Sequence, residues 1–255
     1  MRLLTNGMKI GNATVVVDII QKGNPEIRPG TPMKPKKITT HNTGNASKGA
    51  NAKAHNTYIH NLASYHPKDT THVSWHLSVD DKFIYQHIPF DEIAWHCGDG
   101  GGVNSGNRTS IGIEICENPE TNTKQAEDNA IALTVLLLKG FKLKPTDVVP
   151  HQHWSGKYCP RLILKRDGSF NPYRNRVESA FNNTKKEEEE LVFSSPTLKS
   201  ETETSLVSKA HRQIIVDAAV KAGAHPSWQD KLANRTLTDA DVLGLAVKYT
   251  VAVNK

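Results

Sequence analysis

His151-Gln152-His153-Trp154-Ser155-Gly156-Lys157-Tyr158-Cys159-Pro160 puts imidazole, ammonium and thiol groups into one short loop-like stretch. Far upstream, Ile38-Thr39-Thr40-His41-Asn42 ends a probable strand on one more imidazole. His151 and Cys159 are eight residues apart, enough for a loop to curl both onto one ion. Thiolate sulfur binds zinc at about 2.3 Å and imidazole nitrogen at about 2.0–2.1 Å. With His41 the donors number two nitrogens and one sulfur, which leaves one corner of a tetrahedron for water. The same residue types also fit a structural histidine beside a buried free cysteine, and composition does not choose between these readings. His153 is a rival ligand within the same stretch.

Outward from these segments, the chain alternates strand and helix patterns. Thr14–Ile20 is β-branched, and Lys37–His41 is a second short strand. Asn51–Ser64 has helical spacing, with Tyr58, Ile59 and Leu62 on one side. Val73–Val79 and Phe83–Ile88 flank Asp80-Asp81 as a hairpin. Ser110–Cys116 is an apolar strand, and Gln125–Phe141 is apolar enough for a largely buried helix. The expectation is an α/β domain on one central mixed β-sheet flanked by helices. The loop from Gly98 to Gly106 is rich in glycine but lacks a phosphate-cradling signature.

A charged and Ser/Thr-rich stretch, 183–205, reads as a linker between a domain at 1–182 and a small helical module at 206–255. The tetra-Glu run inside it also suits the frayed end of a preceding helix. In the module, Ala210, Ile214, Ile215, Ala218 and Ala222 repeat at helical spacing up to Gly223, and Pro226 forces a break. Thr238 is set to cap a second helix, with Asp241 at its third position and a staple from Leu237 to Val242. Val242, Leu245, Ala246 and Tyr249 give that helix an apolar face. So small a core is marginal alone, which points to docking on a partner, a second copy or the first domain.

Net charge is +6, and all of it falls before Asn183: 22 basic and 16 acidic residues there, 10 of each after it. The excess suits a polyanionic partner such as nucleic acid or an anionic cell envelope. The module helices show no basic stripe, which argues against nucleic acid. No apolar run reaches the length of a membrane span, so no membrane insertion is expected. Met1–Gly7 is broken by polar residues before an export signal forms, so synthesis in a cytosol is expected. Three cysteines do not make a disulfide framework, and Cys97 and Cys116 read as core residues.

Two more residues bear on the chemistry. Lys157, two positions before Cys159, suits stabilisation of an oxyanion or an ordinary surface position. Glu114 lies in Ile111-Gly112-Ile113-Glu114-Ile115-Cys116, where Gly112, Glu114 and Cys116 share one face and the isoleucines the other. General base and outward-facing residue are both open for it.

Five motifs in order, Ile38–Thr43, Val73-Ser74-Trp75-His76-Leu77, Ala94-Trp95-His96-Cys97-Gly98, Ser110–Glu114 and His151 with Cys159-Pro160, resemble the zinc-dependent N-acetylmuramoyl-L-alanine amidases of the type-2 fold. These are related to peptidoglycan recognition proteins, and the nearest likeness is to phage and prophage endolysins. The resemblance covers about residues 25–180. It implies a mixed sheet with Zn2+ in a groove, held by His41, His151 and Cys159. It implies Lys157 as oxyanion stabiliser and Glu114 as catalytic glutamate, with His76, Trp95 and His96 along the groove or behind the ligands. Some relatives have a catalytic tyrosine where this chain has Trp75, so a phenol-assisted step does not carry over. The implied substrate is bacterial peptidoglycan, with wall polysaccharide a further target of the module. Release to the wall after membrane permeabilisation follows from the same likeness. The rival readings are a non-enzymatic peptidoglycan-binding module and a host autolysin derived from a prophage. Oligomeric state is left open.

Overall fold

A computed structural model describes residues 3–64, 72–189, 200, 204, 206 and 208–253. It falls into two compact units, Met1–Glu187 and Glu188–Lys255.

The first unit is built on seven strands: β1 (Lys9–Ile10), β2 (Ala13–Val17), β3 (Lys37–Asn42), β4 (Leu77–Val79), β5 (Phe83–Gln86), β6 (Ser110–Ile115) and β7 (Val148–Pro150). They form one mixed sheet in the order β1-β2-β5-β4-β6-β3-β7. The hairpin β4–β5 is antiparallel, as the paired runs around Asp80-Asp81 predict. Asp80 holds its turn by accepting from the backbone N–H groups of Lys82 and Phe83, both at 2.7 Å. Strands β4, β6, β3 and β7 run parallel to one another.

Side-chain alternation divides the sheet into two faces. Ile111, Ile113 and Ile115 of β6 enter the main core with Ile38 of β3. There they meet helix α3 (Thr123–Phe141) and the pair α5 (Arg161–Asp167) and α6 (Asn171–Glu189). Each buried aliphatic side chain contributes about 1.5–3 kcal/mol, so this row readily offsets the glycine and glutamate between the isoleucines. The opposite face carries helix α1 (Ala52–Ser64), which packs on β4 and β5. Ile59 of α1 is buried and Leu62 partly so, but Tyr58 is 51% exposed and leaves the apolar side expected for it. Cys97 and Cys116 are both buried.

Two short helices, α2 (Gly106–Thr109) and α4 (Gln152–Ser155), go beyond the expected elements. Helix α6 continues through Asn183 to Glu189, so the tetra-Glu run begins as helix. The rest of the expected linker falls mostly on 190–199, outside the described residues.

The second unit contains α7 (Lys209–Lys221), α8 (Ser227–Ala233) and α9 (Asp239–Val253) around Val216, Ala219, Leu237, Val242 and Leu245. Thr238 and Asp241 exchange reciprocal hydrogen bonds at the start of α9, at 3.0 and 3.1 Å, and Leu237 and Val242 are both buried. Helix α7 ends at Lys221 and Gly223 follows at φ 101°, so the chain breaks before Pro226 as expected, and Pro226 is the N-cap of α8. Proline has no N–H to lose at a helix start, so it begins a helix as readily as it ends one. The side chain of Tyr249 lies outside the described residues.

Candidate metal centre and cleft

The carboxyl ends of three adjacent parallel strands define the site, the usual place for a ligand in an open α/β sheet. His41 is the fifth residue of β3 and pairs directly with Glu114 of β6. His151 follows the last residue of β7, and its backbone N–H bonds the Thr40 carbonyl at 3.3 Å. Helix α4 then turns the chain, and Gly156 ends it in the left-handed conformation at φ 77°. The Gln152 N–H donates to the Cys159 carbonyl at 3.0 Å, closing the loop that brings Cys159 back toward His151.

The result gathers three donor atoms. Nδ1 of His41 lies 3.0 Å from Nδ1 of His151 and 3.8 Å from Sγ of Cys159. All three donors fall within 4.8 Å of one another and all three residues are buried. Tetrahedral ligands at zinc distances stand ~3.3–3.6 Å apart, so this spacing fits one divalent ion. Burial and the neighbouring imidazoles hold His41 well below the usual imidazole range, and burial with Lys157 lowers His151. Both rings are therefore neutral donors. Burial and Glu114 push the Cys159 thiol up to about 12, so the sulfur needs a cation to lose its proton. His153, the rival, is exposed and stacks edge-on against Trp154.

Glu114 faces the cleft, with Oε1 3.8 Å from His41 Nδ1. Its Oε2 is buried without a hydrogen-bond partner among the described residues. Burial pushes this carboxyl up to about 8, against the pull of Lys157. Lys157 lines the same cleft, which has a volume of about 650 Å³. Trp95 and His96 line it as well. His76 does not. It is wholly buried, with Nε2 donating to the Glu92 carbonyl at 2.9 Å and Nδ1 accepting from the Gly112 N–H at 3.0 Å. Both ring nitrogens serve the backbone, so nothing is left to face a groove. Trp75 lines the cleft, but its indole N–H is spent on Ser78 Oγ at 2.7 Å.

Sequence reasoning missed Tyr58, which stacks on Trp75 at 6.4 Å in the cleft wall, and Arg161, which lines it while pairing with Glu117. It also missed Ser155, whose Oγ lies 3.0 Å from His151 Nε2. Ser155 stands one helical turn from His151 and Arg161 two residues past Cys159, so spacing was the available signal.

Residues 31–162, about half the chain, match the family model described as N-acetylmuramoyl-L-alanine amidase. The chain belongs to that family. It is similar to the amidase CwlH of Bacillus subtilis (strain 168), 46% identical over 157 residues that cover 62% of this chain and 59% of CwlH. It is likewise similar to the amidase XlyA of the same organism, 48% identical over 158 residues, 61% of this chain and 50% of XlyA. The solved structure of the XlyA catalytic domain aligns with a TM-score of 0.57 at 43% identity, over 64% of this chain and 98% of that one. The chain thus matches between half and three-fifths of the length of these two relatives. The mixed sheet flanked by helices expected from the sequence is the fold found.

Proposed function

We propose that this chain is a zinc-dependent peptidoglycan hydrolase that cleaves the amide bond between N-acetylmuramic acid and L-alanine. One observation carries the reading. His41, His151 and Cys159 converge in a cleft that also holds the buried carboxyl of Glu114 and the ammonium of Lys157. Zinc held by those three residues supplies Lewis acidity, which polarises a carbonyl and acidifies water.

The chain's own groups do the rest. Glu114 accepts the proton of the attacking water and returns it to the leaving amine of L-alanine. Lys157 donates hydrogen bonds to the oxyanion that develops on the lactyl carbonyl oxygen. The excess positive charge before Asn183 favours an anionic wall over a neutral one. The 206–255 unit serves as a wall-targeting module, with peptidoglycan or wall polysaccharide as ligand. Tethering a weak binder to an enzyme raises its local concentration without new contacts in the cleft. In this reading the protein is a phage or prophage lysis enzyme, made in the host cytoplasm and acting on the wall once the membrane is permeabilised. Among the described residues no helix is long and apolar enough to cross a membrane.

The test is digestion of purified Bacillus walls followed by mass spectrometry. The expected products are stem peptides with a free L-alanine amine and glycan strands with an intact lactyl carboxyl. Chelation of metal, or Cys159→Ser, should abolish release, and added zinc should restore it to the chelated wild type. New reducing sugar ends in place of free amines, or cleavage that survives metal removal, would overturn the assignment.

A further inference from the structure

His41 engages both of its ring nitrogens. Nδ1 faces His151 and Cys159, while Nε2 lies 3.0 Å from Nδ1 of His96. The Nε2 of His96 in turn lies 3.2 Å from the Ser110 carbonyl. A carbonyl only accepts, so the proton of His96 sits on Nε2. A neutral imidazole carries one proton, so with Nε2 protonated the Nδ1 that faces His41 carries a lone pair. His41 must meet that lone pair with an N–H.

We infer that His96, fixed by the Ser110 carbonyl, is a positioning residue that holds His41 in the Nε2–H tautomer and so turns the bare Nδ1 of His41 to the ligand cluster. The inference rests on reading His41 as a metal ligand. The competing tautomer is close at hand. With its proton on Nδ1, His41 would donate to His151 across the same 3.0 Å and close off its own donor atom. His96 removes that option by offering the acceptor on the other side.

The surroundings hold His96 for this task. The backbone N–H groups of His96 and Cys97 both donate to Asn107 Oδ1 at 2.7 Å, pinning the backbone below the ring. The ring lies over Gly112 of β6, where an added Cβ would come within 2.7 Å of its Nδ1. Cys97 Sγ lies 3.2 Å from the same Nδ1, but a thiol is the weaker donor and also has Thr39 Oγ1 within reach.

The test uses the full chain, with nitrogen-15 imidazole spectra of the metal-free protein and zinc affinity by chelator competition. Wild type should show His41 and His96 both protonated on Nε2. His96→Phe, which keeps a ring but loses the acceptor, should move His41 toward the Nδ1–H form. It should also weaken zinc binding by about 10–100-fold. His96→Asn places an amide oxygen close to the lost Nδ1 and should restore both the tautomer and most of the affinity. An unchanged His41 tautomer with unchanged affinity in His96→Phe would overturn the inference. So would failure of His96→Asn to rescue while its circular dichroism stays native. Wild type that takes up no zinc would instead overturn the ligand assignment itself, so the two failures are distinguishable.

Discussion

In the proposed mechanism Glu114 and Lys157 are, at the residue scale, the groups that act on the reacting atoms and leave the metal to other side chains. Neither is among the converging donors of His41, His151 and Cys159, yet both line the cleft. Glu114→Gln keeps the shape and removes the base. Turnover on purified walls should fall by at least 10²-fold, the lower range for a positioned general base, with zinc stoichiometry retained. Lys157→Met should lower kcat by about 10²–10³-fold, the cost of removing one oxyanion donor, with a smaller change in KM. Stopped assays with metal analysis on the same samples check both. A Glu114→Gln protein that is inactive only because it has lost its zinc would make the glutamate a structural support.

At the scale of elements, β6 shows how far sequence reading reaches. Alternation placed its isoleucines together and Gly112 with Glu114 on the other face, but left open which face mattered. The answer lies in β3, which ends at Asn42, well upstream of β6, and whose register sets His41 opposite Glu114. No local pattern encodes that pairing. The convergence of His41, His151 and Cys159 was legible because the 151–160 stretch is dense in donor groups and the family motifs single out those three residues. His76 and His96 were not told apart, since the use of each ring depends on a carbonyl from a distant segment. Short helices such as α2, α4 and α8 escaped because four to seven residues are too few to show a period. The start of α9 was legible because a capping box is local. Thr238→Ala should therefore cost about 1 kcal/mol in the second unit. Hydrogen exchange of the α9 backbone amides in the full chain should register the loss while cleavage of soluble muropeptides is unchanged. A loss well under 0.5 kcal/mol would mean the two hydrogen bonds of the cap add little to α9.

For the whole molecule, buried titratable groups set a pH optimum of stability in the metal-free protein. Burial lowers His76 to about 4 and His87 to about 3. Unfolded histidine titrates near ~6.5, so below that pH the unfolded chain binds more protons and stability falls as pH drops. Each group then loses about 1.4 kcal/mol per pH unit until its folded value is reached, or about 2 kcal/mol from pH 6.5 to 5. Glu114 acts in the opposite sense. Its folded value is raised to about 8, so between the ordinary carboxylate range and pH 8 the folded chain holds the extra proton and stability falls as pH rises. Its side chain is 16% exposed to the cleft, and water there reduces the effect to about 1–2 kcal/mol. Two histidines outweigh one glutamate in acid, so metal-free stability should drop by about 2–3 kcal/mol from pH 6.5 to 5, a sizeable part of a typical domain's total. Between pH 6.5 and 8 it should fall more gently. Urea titrations at fixed pH measure both limbs. His87→Asn, which keeps a polar partner for Asn56 and Ser78, should flatten the acid limb in part, and Glu114→Gln should flatten the alkaline limb and steepen the acid one. A stability curve level from pH 7 to 5 would show that His76 and His87 take up protons without unfolding pressure, and that their burial is less complete than the packing around them implies.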